Sequence, residues 1–320
     1  MCTVEKVYLA PMEGVCDPPL RKILCAYGGY DECFSEFIRV TDQVLPAKTL
    51  LRDVPELLHD GKTDDGTPVR VQLLGDNAKA MAQSAQRAVS LGARSIDLNF
   101  GCPSRFVHHA GAMLLKEPEL IHRITATVRE ALDPTVFLSV KMRLGFADIA
   151  EAPALVQAVC VPGLNELILH ARTRSELYRK DALHWEVLAQ VQAYMVDIPL
   201  VANGDIVDQD SAQCCMQKTK CRRLMVGRAA MAQPNLARML KDNMPPLSFR
   251  QKLALIPTLF AQLSESGFAE KSRLDRAKQY LGFVRRSDSA AAEFFKTFCH
   301  VKTQAEALAL LKAQGVAIEL

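Results

Sequence analysis

Short apolar runs alternate with longer amphipathic stretches along the chain as far as Arg228. The short runs predict buried strands, whereas apolar residues spaced three and four apart, as in 77–92 and 118–132, predict helices. The predicted strands are KVYLAPM (6–12), ECFSEFI (32–38), VRVQLLG (69–75), SIDLNF (95–100), VFLSVKM (136–142), ELILHAR (166–172), PLVANGDI (199–206) and RRLMVGR (222–228). Eight strands that alternate with helices predict an α/β fold, a (β/α)8 TIM barrel.

Polar residues and glycines, together with Met12, occupy the carboxyl ends of the predicted strands. They are Met12, Glu13, Glu36, Arg39, Gln72, Asn99, Cys102, Lys141, Arg143, His170, Arg172, Asn203, Gly204, Asp205, Gly227 and Arg228. A buried core does not explain polar residues at the same end of all strands. Because the active site of such a barrel is built at the carboxyl ends of its strands, we interpret these residues as the lining of a cavity.

The strand pattern ends before MPPLSF (244–249), whose two prolines interrupt any helix, and helical patterns continue from there to the end. We therefore predict a catalytic barrel over 1–246 and a smaller all-helical domain over 247–320. Residues 248–320 hold eleven Lys/Arg against seven Asp/Glu, a charge of +4 in a chain whose net charge is +3. Lys271, Lys278 and Arg285 recur every seven residues and form one helical stripe, which is either a solvated face or a surface for an acidic partner.

Composition and the first residues of the chain indicate the broad class of protein. The chain is 49% apolar and 23% charged, as is usual for soluble globular proteins, and it contains no apolar run long enough to predict a membrane span. Charged residues Glu5 and Lys6 interrupt the start of the chain, so we expect no secretion signal and a cytoplasmic location. The ten cysteines include no Cys-x-x-Cys pair, and we expect most of them to be free, buried thiols.

Two glycine-containing loops, ANGDI (202–206) and VGRAAM (226–231), follow the last two predicted strands. In barrels of this type the corresponding loops commonly bind a cofactor phosphate. Gly204 and Gly227 would let backbone N–H groups approach the phosphate, and Arg228 would pair with it. The alternative is that both glycines serve only tight turns.

Lys141 and Arg143 lie two residues apart on one strand and therefore project to the same side. A lysine inside a barrel indicates either Schiff-base chemistry or a fixed positive charge beside a cofactor ring. Gln72 and His170, which also lie at strand ends, favour the second, since a reduced flavin carries negative charge near N1. The alternative is a structural ion pair of Lys141 with Asp97 or Glu36.

Cys102 has three possible roles: catalyst, metal ligand or buried thiol. Gly101 and Pro103 fix a turn directly after the fourth strand, which places the thiol on a loop over the pocket. The adjacent His108 and His109 lack a second cysteine at ligand spacing, so we expect no metal site and interpret both histidines as loop residues.

Seven segments, in this order and spacing, resemble the flavin-dependent tRNA-dihydrouridine synthases. They are APMEGV (10–15), VRVQLLG (69–75), LNFGCPS (98–104), VKMRLG (140–145), HAR (170–172), ANGDI (202–206) and VGRAAM (226–231). APMEGV, the segment SEFIRVTDQVLP (35–46) and the basic helical end are most similar to the bacterial branch that modifies position 16 of tRNA. The loop from Arg105 to Ala112 is shorter than the family pattern.

The resemblance implies an FMN-binding barrel that reduces uridine to 5,6-dihydrouridine in the D loop, with NADPH or NADH as electron donor and tRNA as partner. Cys102 would be the general acid that protonates C5 of the uracil. The FMN contacts would be Pro11, Met12, Glu13, Gln72, Lys141, His170, Asn203, Gly204, Asp205, Gly227 and Arg228. The residues near the flipped uridine would be Asn99, Arg143 and Tyr178, and those on the remaining RNA would be Arg39, Arg276, Lys278, Tyr280 and Arg285.

We expect a monomer that binds neither membranes nor metals. Two alternatives remain open: an FMN-dependent barrel oxidoreductase for a small molecule of the dihydroorotate or dihydropyrimidine type, and a non-catalytic tRNA-binding relative. The basic helical end argues against the first alternative, because a small-molecule enzyme does not need a cationic surface. The presence of Cys102, Lys141 and both glycine-containing loops argues against the second.

Overall fold

The computed structural model describes residues 3–103 and 109–318. Within these residues, nine strand segments form one parallel sheet. They are β1 (Lys6–Leu9), β2 (Glu32–Phe34), β3 (Ile38–Arg39), β4 (Val69–Leu74), β5 (Ser95–Phe100), β6 (Phe137–Arg143), β7 (Glu166–His170), β8 (Leu200–Asn203) and β9 (Arg223–Val226). Each predicted strand corresponds to at least one of these segments, so the prediction of eight βα units is confirmed.

The sheet closes into an eight-stranded TIM barrel, as predicted. Its strands follow the order β2-β1-β9-β8-β7-β6-β5-β4-β3, and the barrel closes where β2 also pairs with β4. The second predicted strand is interrupted, because β2 pairs with the start of β4 and β3 with its end. At the gap, Ser35 Oγ accepts a hydrogen bond from the backbone N–H of Gln72 at 2.9 Å. The Ser35 hydroxyl thus accepts the hydrogen bond that a backbone carbonyl of the neighbouring strand would accept in an uninterrupted sheet.

Alternation along the strands divides the core into two layers. Tyr8, Phe34 and Met225 belong to a cluster inside the barrel, whereas Val7 and Leu9 belong to the larger cluster between strands and helices. This follows from the period of two in a strand, which sends neighbouring side chains to opposite faces.

The amino end of the barrel interior is closed by a buried network of charges around Arg70. Arg70 is fully buried and pairs with Glu32 at 2.5 Å and with Glu166 at 2.7 Å. Glu166 also accepts a hydrogen bond from the Tyr8 hydroxyl at 2.9 Å and lies 3.3 Å from Arg223. Each buried charge in this network therefore has an opposite charge in contact, which is the condition for keeping charges in a barrel core.

Helices surround the barrel and continue to the end of the described chain. They are α1 (Pro18–Gly28), α2 (Ala47–Asp53), α3 (Ala78–Ser90), α4 (Pro118–Ala131), α5 (Ala152–Val159), α6 (Trp185–Val191), α7 (Gln209–Thr219), α8 (Arg228–Ala232), α9 (Leu236–Asp242), α10 (Phe249–Leu253), α11 (Leu255–Glu265), α12 (Glu270–Val284), α13 (Ser289–Phe298) and α14 (Gln304–Ala313). Sequence signals mark the start of α1, where the Asp17 side chain accepts from the N–H of Leu20 and Pro18 opens the helix.

The helices from α10 onward pack on the barrel through α1 and α8. Arg276 on α12 donates to the carbonyl of Val15 at 2.5 Å and pairs with Asp17 at 2.8 Å, so it joins this helix to the loop after β1. The apolar residues of α12 merge with the core between strands and helices. The boundary at 246/247 remains a prediction.

No helix within 3–103 and 109–318 is long and apolar enough to cross a membrane. The same described residues contain no group of three or more His, Cys, Asp or Glu side chains that could hold a metal ion.

Candidate active site

A chain of hydrogen bonds crosses the barrel near the carboxyl ends of β4, β5 and β6. The buried carboxylate of Asp97 accepts from Ser139 Oγ at 2.6 Å and from Gln72 Nε2 at 2.7 Å. The oxygen of the Gln72 amide accepts from Asn99 Nδ2 at 2.8 Å. Burial raises the pKa of Asp97 to about 6, so the carboxylate is mostly ionised at neutral pH.

The loop that carries Cys102 is fixed to the end of this chain. Asn99 Oδ1 accepts from the backbone N–H groups of Gly101 and Cys102, both at 2.9 Å, and Arg143 Nε donates to the Gly101 carbonyl at 2.9 Å. Cys102 is half-buried, which agrees with the predicted position on a loop over the pocket. Arg105, Phe106 and His108 lie outside the described residues, and His109 is exposed with a φ of 50°.

Lys141 is the central cation of the pocket. It lies opposite Asn99 in the register of β5 and β6. Burial and the neighbouring Arg143 lower the pKa of Lys141 to about 8, although Asp97 and Cys102 act in the opposite direction. Among the residues that the structure describes, none forms an ion pair with Lys141 within 4.0 Å. The alternative of a structural ion pair with Asp97 or Glu36 is therefore wrong.

His170, at the end of β7, is neutral and has a defined tautomer. Its Nδ1 lies 2.9 Å from Asn203 Oδ1, and the amide nitrogen of Asn203 donates to the carbonyl of Met225 at 2.9 Å. Asn203 therefore accepts from His170, which places the proton on Nδ1 and a lone pair on Nε2. Burial and the nearby Arg143 hold the pKa of His170 well below its usual value.

Tyr178 lies at the open side of the pocket with arginines near its ring. The ring centroid is 5.2 Å from the guanidinium carbon of Arg143 and 4.5 Å from that of Arg228, and His170 meets it edge-on at 6.1 Å. Tyr178 is 47% exposed. An exposed aromatic ring held over a cationic pocket offers a surface on which a planar base can stack.

The loop after β8 contains a glycine with a positive φ and a carboxylate that bridges two arginines. Gly204 has a φ of +132°, which L side chains rarely adopt, and its carbonyl accepts from the indole N–H of Trp185 at 3.2 Å. Asp205 binds Arg172 through one oxygen and Arg228 through the other, the latter at 3.0 Å. Asp205 therefore orients both arginines. Gly227 has a φ of −124° and a ψ of −99°, outside the main regions that L residues occupy.

The loop after β1 forms another wall of the site. A Cβ atom placed on Gly227 would lie 3.5 Å from Met12 Sδ, so this loop and the loop after β9 are in contact. Pro11 and Met12 are half-buried. Glu13 is more exposed, but the protein around its carboxyl group removes enough water to raise the pKa of that group. The backbone N–H of Val15 donates to Glu36 Oε1 at 3.0 Å. These contacts hold the predicted cofactor-side loop in place.

The pocket residues fit an anionic, hydrogen-bonding ligand. Within the described part of the chain, two buried atoms near the site lack a hydrogen-bond partner: Nε2 of His170, an acceptor, and Nη1 of Arg172, a donor. Lys141 and Arg143 add positive charge that their immediate surroundings do not balance. A phosphorylated flavin supplies donors, acceptors and negative charge, so these residues could hold one.

The predicted RNA-contact residues lie in different environments. Arg39 on β3 and Arg285 after α12 are exposed, and the Arg285 guanidinium carbon lies 4.3 Å from the centroid of the Phe295 ring. Lys278 donates to the carbonyl of Val301 at 2.8 Å. Arg276 donates a hydrogen bond to the loop after β1, where α12 packs on the barrel. An RNA contact of Arg276 remains a prediction.

For Tyr280 the predicted RNA contact is wrong. The side chain is 1% exposed, and its hydroxyl donates to the carbonyl of Lys252 at 3.1 Å. No face of a buried ring is free to stack on a base. Tyr280 belongs instead to the apolar face of α12 that includes Ala277 and Val284.

Sequence reasoning missed Asp97 and Ser139 as parts of the site. Asp97 lies two residues before Asn99 on β5, so both side chains point into the barrel, and this spacing was available as a signal. The role of Ser139 depends on its register opposite Asp97, which no local pattern reveals.

A family model described as dihydrouridine synthase matches residues 8–318 of the chain. Among its relatives, the tRNA-dihydrouridine(16) synthase of Haemophilus ducreyi is 42% identical over 306 residues, which cover 94% of this chain and 92% of that protein. The enzyme of the same name from Escherichia coli strain K12 is 40% identical over 293 residues, covering 91% and 92% respectively.

A solved structure, that of histamine dehydrogenase from Rhizobium sp. 4-9, superimposes with a TM-score of 0.58 and 11% identity. The match covers 81% of this chain and 49% of that chain. At this identity the likeness concerns the barrel fold.

Proposed function

Because the chain belongs to the dihydrouridine synthase family, we propose that it reduces uridine to 5,6-dihydrouridine in tRNA, at position 16 of the D loop. The observation that carries the proposal is the position of Cys102, on a loop held by Asn99 beside the cationic pocket of Lys141 and Arg143. A proton donor, a cationic wall and a stacking ring then border one cavity.

We expect flavin mononucleotide as the resident cofactor, and when bound it supplies the hydride that reaches C6 of the uracil. Lys141 would place a positive charge beside the ring system, and neutral His170 would offer a lone pair to a donor of the cofactor. The amide groups of the Gly204 loop and Arg228 would bind the phosphate. These roles use the unpartnered Nε2 of His170 and the positive charge of the pocket.

Cys102 donates the proton that the reduction requires. As hydride adds to C6, negative charge develops at C5 and O4 of the uracil, and the thiol protonates C5. Asn99 fixes the loop that carries the thiol, while Arg143 holds the Gly101 carbonyl and so completes the support.

The tRNA reaches the pocket with the target uridine out of its stack, because the cavity lies inside the barrel mouth. Tyr178 supplies a ring for the flipped base, and Arg39, Lys278 and Arg285 supply positive charge for the phosphates. NADPH or NADH would be the electron donor for the flavin, and we expect the protein to act as a monomer.

The experiment is mass spectrometry of nucleosides from unmodified tRNA incubated with the purified protein, FMN and NADPH. We expect dihydrouridine to appear, and fragment mapping to place it at position 16. A transcript with cytidine at position 16 is the matched substrate control and should gain none. A protein that cannot be loaded with FMN contradicts the enzyme class, whereas dihydrouridine elsewhere in the D loop contradicts only the position.

A further inference from the structure

We propose that Asp97 is a positioning residue, whose carboxylate sets the donor–acceptor direction of a hydrogen-bond chain through Gln72 and Asn99 that holds the Cys102 loop. The inference rests on the proposed function, because the loop matters if Cys102 is the proton donor. Asp97 lies two hydrogen-bonded side chains away from the loop, so it acts through others.

The direction of the chain starts at the carboxylate. An ionised carboxylate accepts hydrogen bonds and donates none. One oxygen of Asp97 accepts from Ser139 Oγ and the other from Gln72 Nε2. The amide nitrogen of Gln72 must therefore face Asp97, which turns the amide oxygen of Gln72 toward Asn99.

The other end of the chain is fixed by the backbone. Gly101 and Cys102 present N–H groups, which only donate, and Asn99 Oδ1 accepts from both. Asn99 must then use its nitrogen on the Gln72 oxygen, as the 2.8 Å distance shows. A flipped Asn99 would set its own N–H groups against the two backbone donors and release the loop.

The surroundings keep the carboxylate in its accepting state. Gln72 and the cation Arg70 face Asp97 from β4, and Ser139 and the cation Lys141 face it from β6. Both hydrogen bonds and both cations favour the ionised form, whereas burial opposes it. Asp97 thus accepts at pH values above its pKa of about 6.

Asp97→Asn is the first test, because asparagine has the same shape but adds a donor. Its single amide oxygen can accept from Ser139 Oγ or from the Gln72 nitrogen but not from both, so the chain loses one bond and the direction of the Gln72 amide is no longer fixed. We expect a thiol reagent to alkylate Cys102 at least ~3-fold faster, as the loop opens locally. We also expect kcat for dihydrouridine formation to fall at least ~10-fold, with KM for tRNA within about 2-fold of wild type, because misplacement affects the chemical step.

Alkylation is followed at each cysteine by peptide mass spectrometry, with the exposed Cys299 as internal reference. This readout requires neither flavin nor RNA. Glu32→Gln is the matched control, since it also converts a partly buried barrel carboxylate to an amide but lies at the opposite end of the barrel. We expect Glu32→Gln to leave Cys102 alkylation and kcat unchanged.

A double variant tests whether the loop depends on the direction of the hydrogen bonds and not on the size of the side chain at position 97. In the double variant Asp97→Asn with Gln72→Glu, the carboxylate moves one step along the chain, and every hydrogen bond regains a donor and an acceptor. We expect Cys102 alkylation to return to within about 2-fold of wild type. If Asp97→Asn does not fold, recovery of a folded double variant with native Cys102 reactivity supports the proposal equally.

Two results would overturn the proposal: wild-type alkylation and kcat in Asp97→Asn, or a double variant as damaged as the single one. Failure of the wild-type protein to form dihydrouridine is a different outcome. It refutes the proposed function, while the alkylation rates still report whether Asp97 holds the loop.

Discussion

The two ends of the barrel interior treat buried charge in opposite ways. At the amino end, Arg70 is paired with Glu32 and Glu166 and lies against aromatic rings. At the carboxyl end, Lys141 has no acidic side chain within ion-pair distance in the described chain, and His170 keeps an unpartnered acceptor. The amino end has its charges paired without a ligand, although Nη1 and Nη2 of Arg70 lack an aligned hydrogen bond among the described residues, whereas the carboxyl end has a cation left for a ligand to pair.

The contrast separates stability from function within one scaffold. Compensated charges contribute to a fixed interior, because each loses its hydration only where an opposite charge replaces it. Uncompensated charges cost stability and are retained where a ligand supplies the missing partner. We therefore expect substitutions at the amino end to change unfolding and substitutions at the carboxyl end to change chemistry or binding.

The largest expected effect is on catalysis, from Cys102→Ala. Loss of a general acid costs ~10²–10⁴-fold in rate, so dihydrouridine formation should fall by that factor. Flavin reduction by NADPH should stay at the wild-type rate, because that step does not use the thiol. Stopped-flow absorbance separates the two steps. Cys299→Ala is the matched control, and unchanged uridine reduction in Cys102→Ala would refute the acid assignment.

At the opposite end, Arg70→Met should lower the free energy of unfolding by about 3–5 kcal/mol, because Glu32 and Glu166 lose their common partner. Urea denaturation measures this loss. The flavin dissociation constant of the folded fraction should not change. A variant that keeps wild-type stability but loses flavin would contradict the division between the two ends.

Lys141→Met should weaken flavin binding by roughly 10-fold, about 1.4 kcal/mol, without loss of apoprotein stability. The folded pKa of about 8 lies below the ordinary lysine value of 10.5, so the charge costs stability in full below about pH 8, and this cost is lost as pH rises from about 8 toward 10.5. Flavin affinity of the wild type should fall as pH rises through about 8, because the charge is lost. Fluorescence titration against pH should show a flat profile in Lys141→Met, and a parallel decline in both proteins would contradict this role.

The smallest expected effect concerns RNA affinity. Arg285→Gln should weaken tRNA binding about 2- to 5-fold and reduce its salt dependence, since one phosphate contact is lost. Arg94→Gln is the control, because Arg94 is an exposed arginine just before β5, at the amino end of the barrel. Filter binding at several salt concentrations measures both. Equal losses in the two variants would indicate a nonspecific charge effect.

The order of the strands was predictable because each strand carries a strong local signal. The interruption at Ser35 was not, since the apolar pattern continues across it and only the pairing of β2 and β3 with β4 reveals the gap. Pocket residues at strand ends followed from the barrel rule. The compensation of Arg70 by Glu166 joins distant parts of the sequence, and no local pattern encodes it.

The error at Tyr280 has a physical lesson. The spacing of Lys271, Lys278 and Arg285 predicted a cationic stripe on α12, and Tyr280 was grouped with it. Tyr280 instead lies three residues after Ala277 and four before Val284, on the apolar face of the helix. The apolar period of the helix was therefore the better guide to the position of Tyr280.

The chain contains one tryptophan, and its indole N–H is bonded to the carbonyl of Gly204. Trp185 is buried beside the loop that we assign to the cofactor phosphate. The protein therefore has an intrinsic optical probe at this loop. Its emission should shift or be quenched when a ligand binds at the loop. Because the signal comes from a single tryptophan, occupancy of the pocket can be followed in the unlabelled protein.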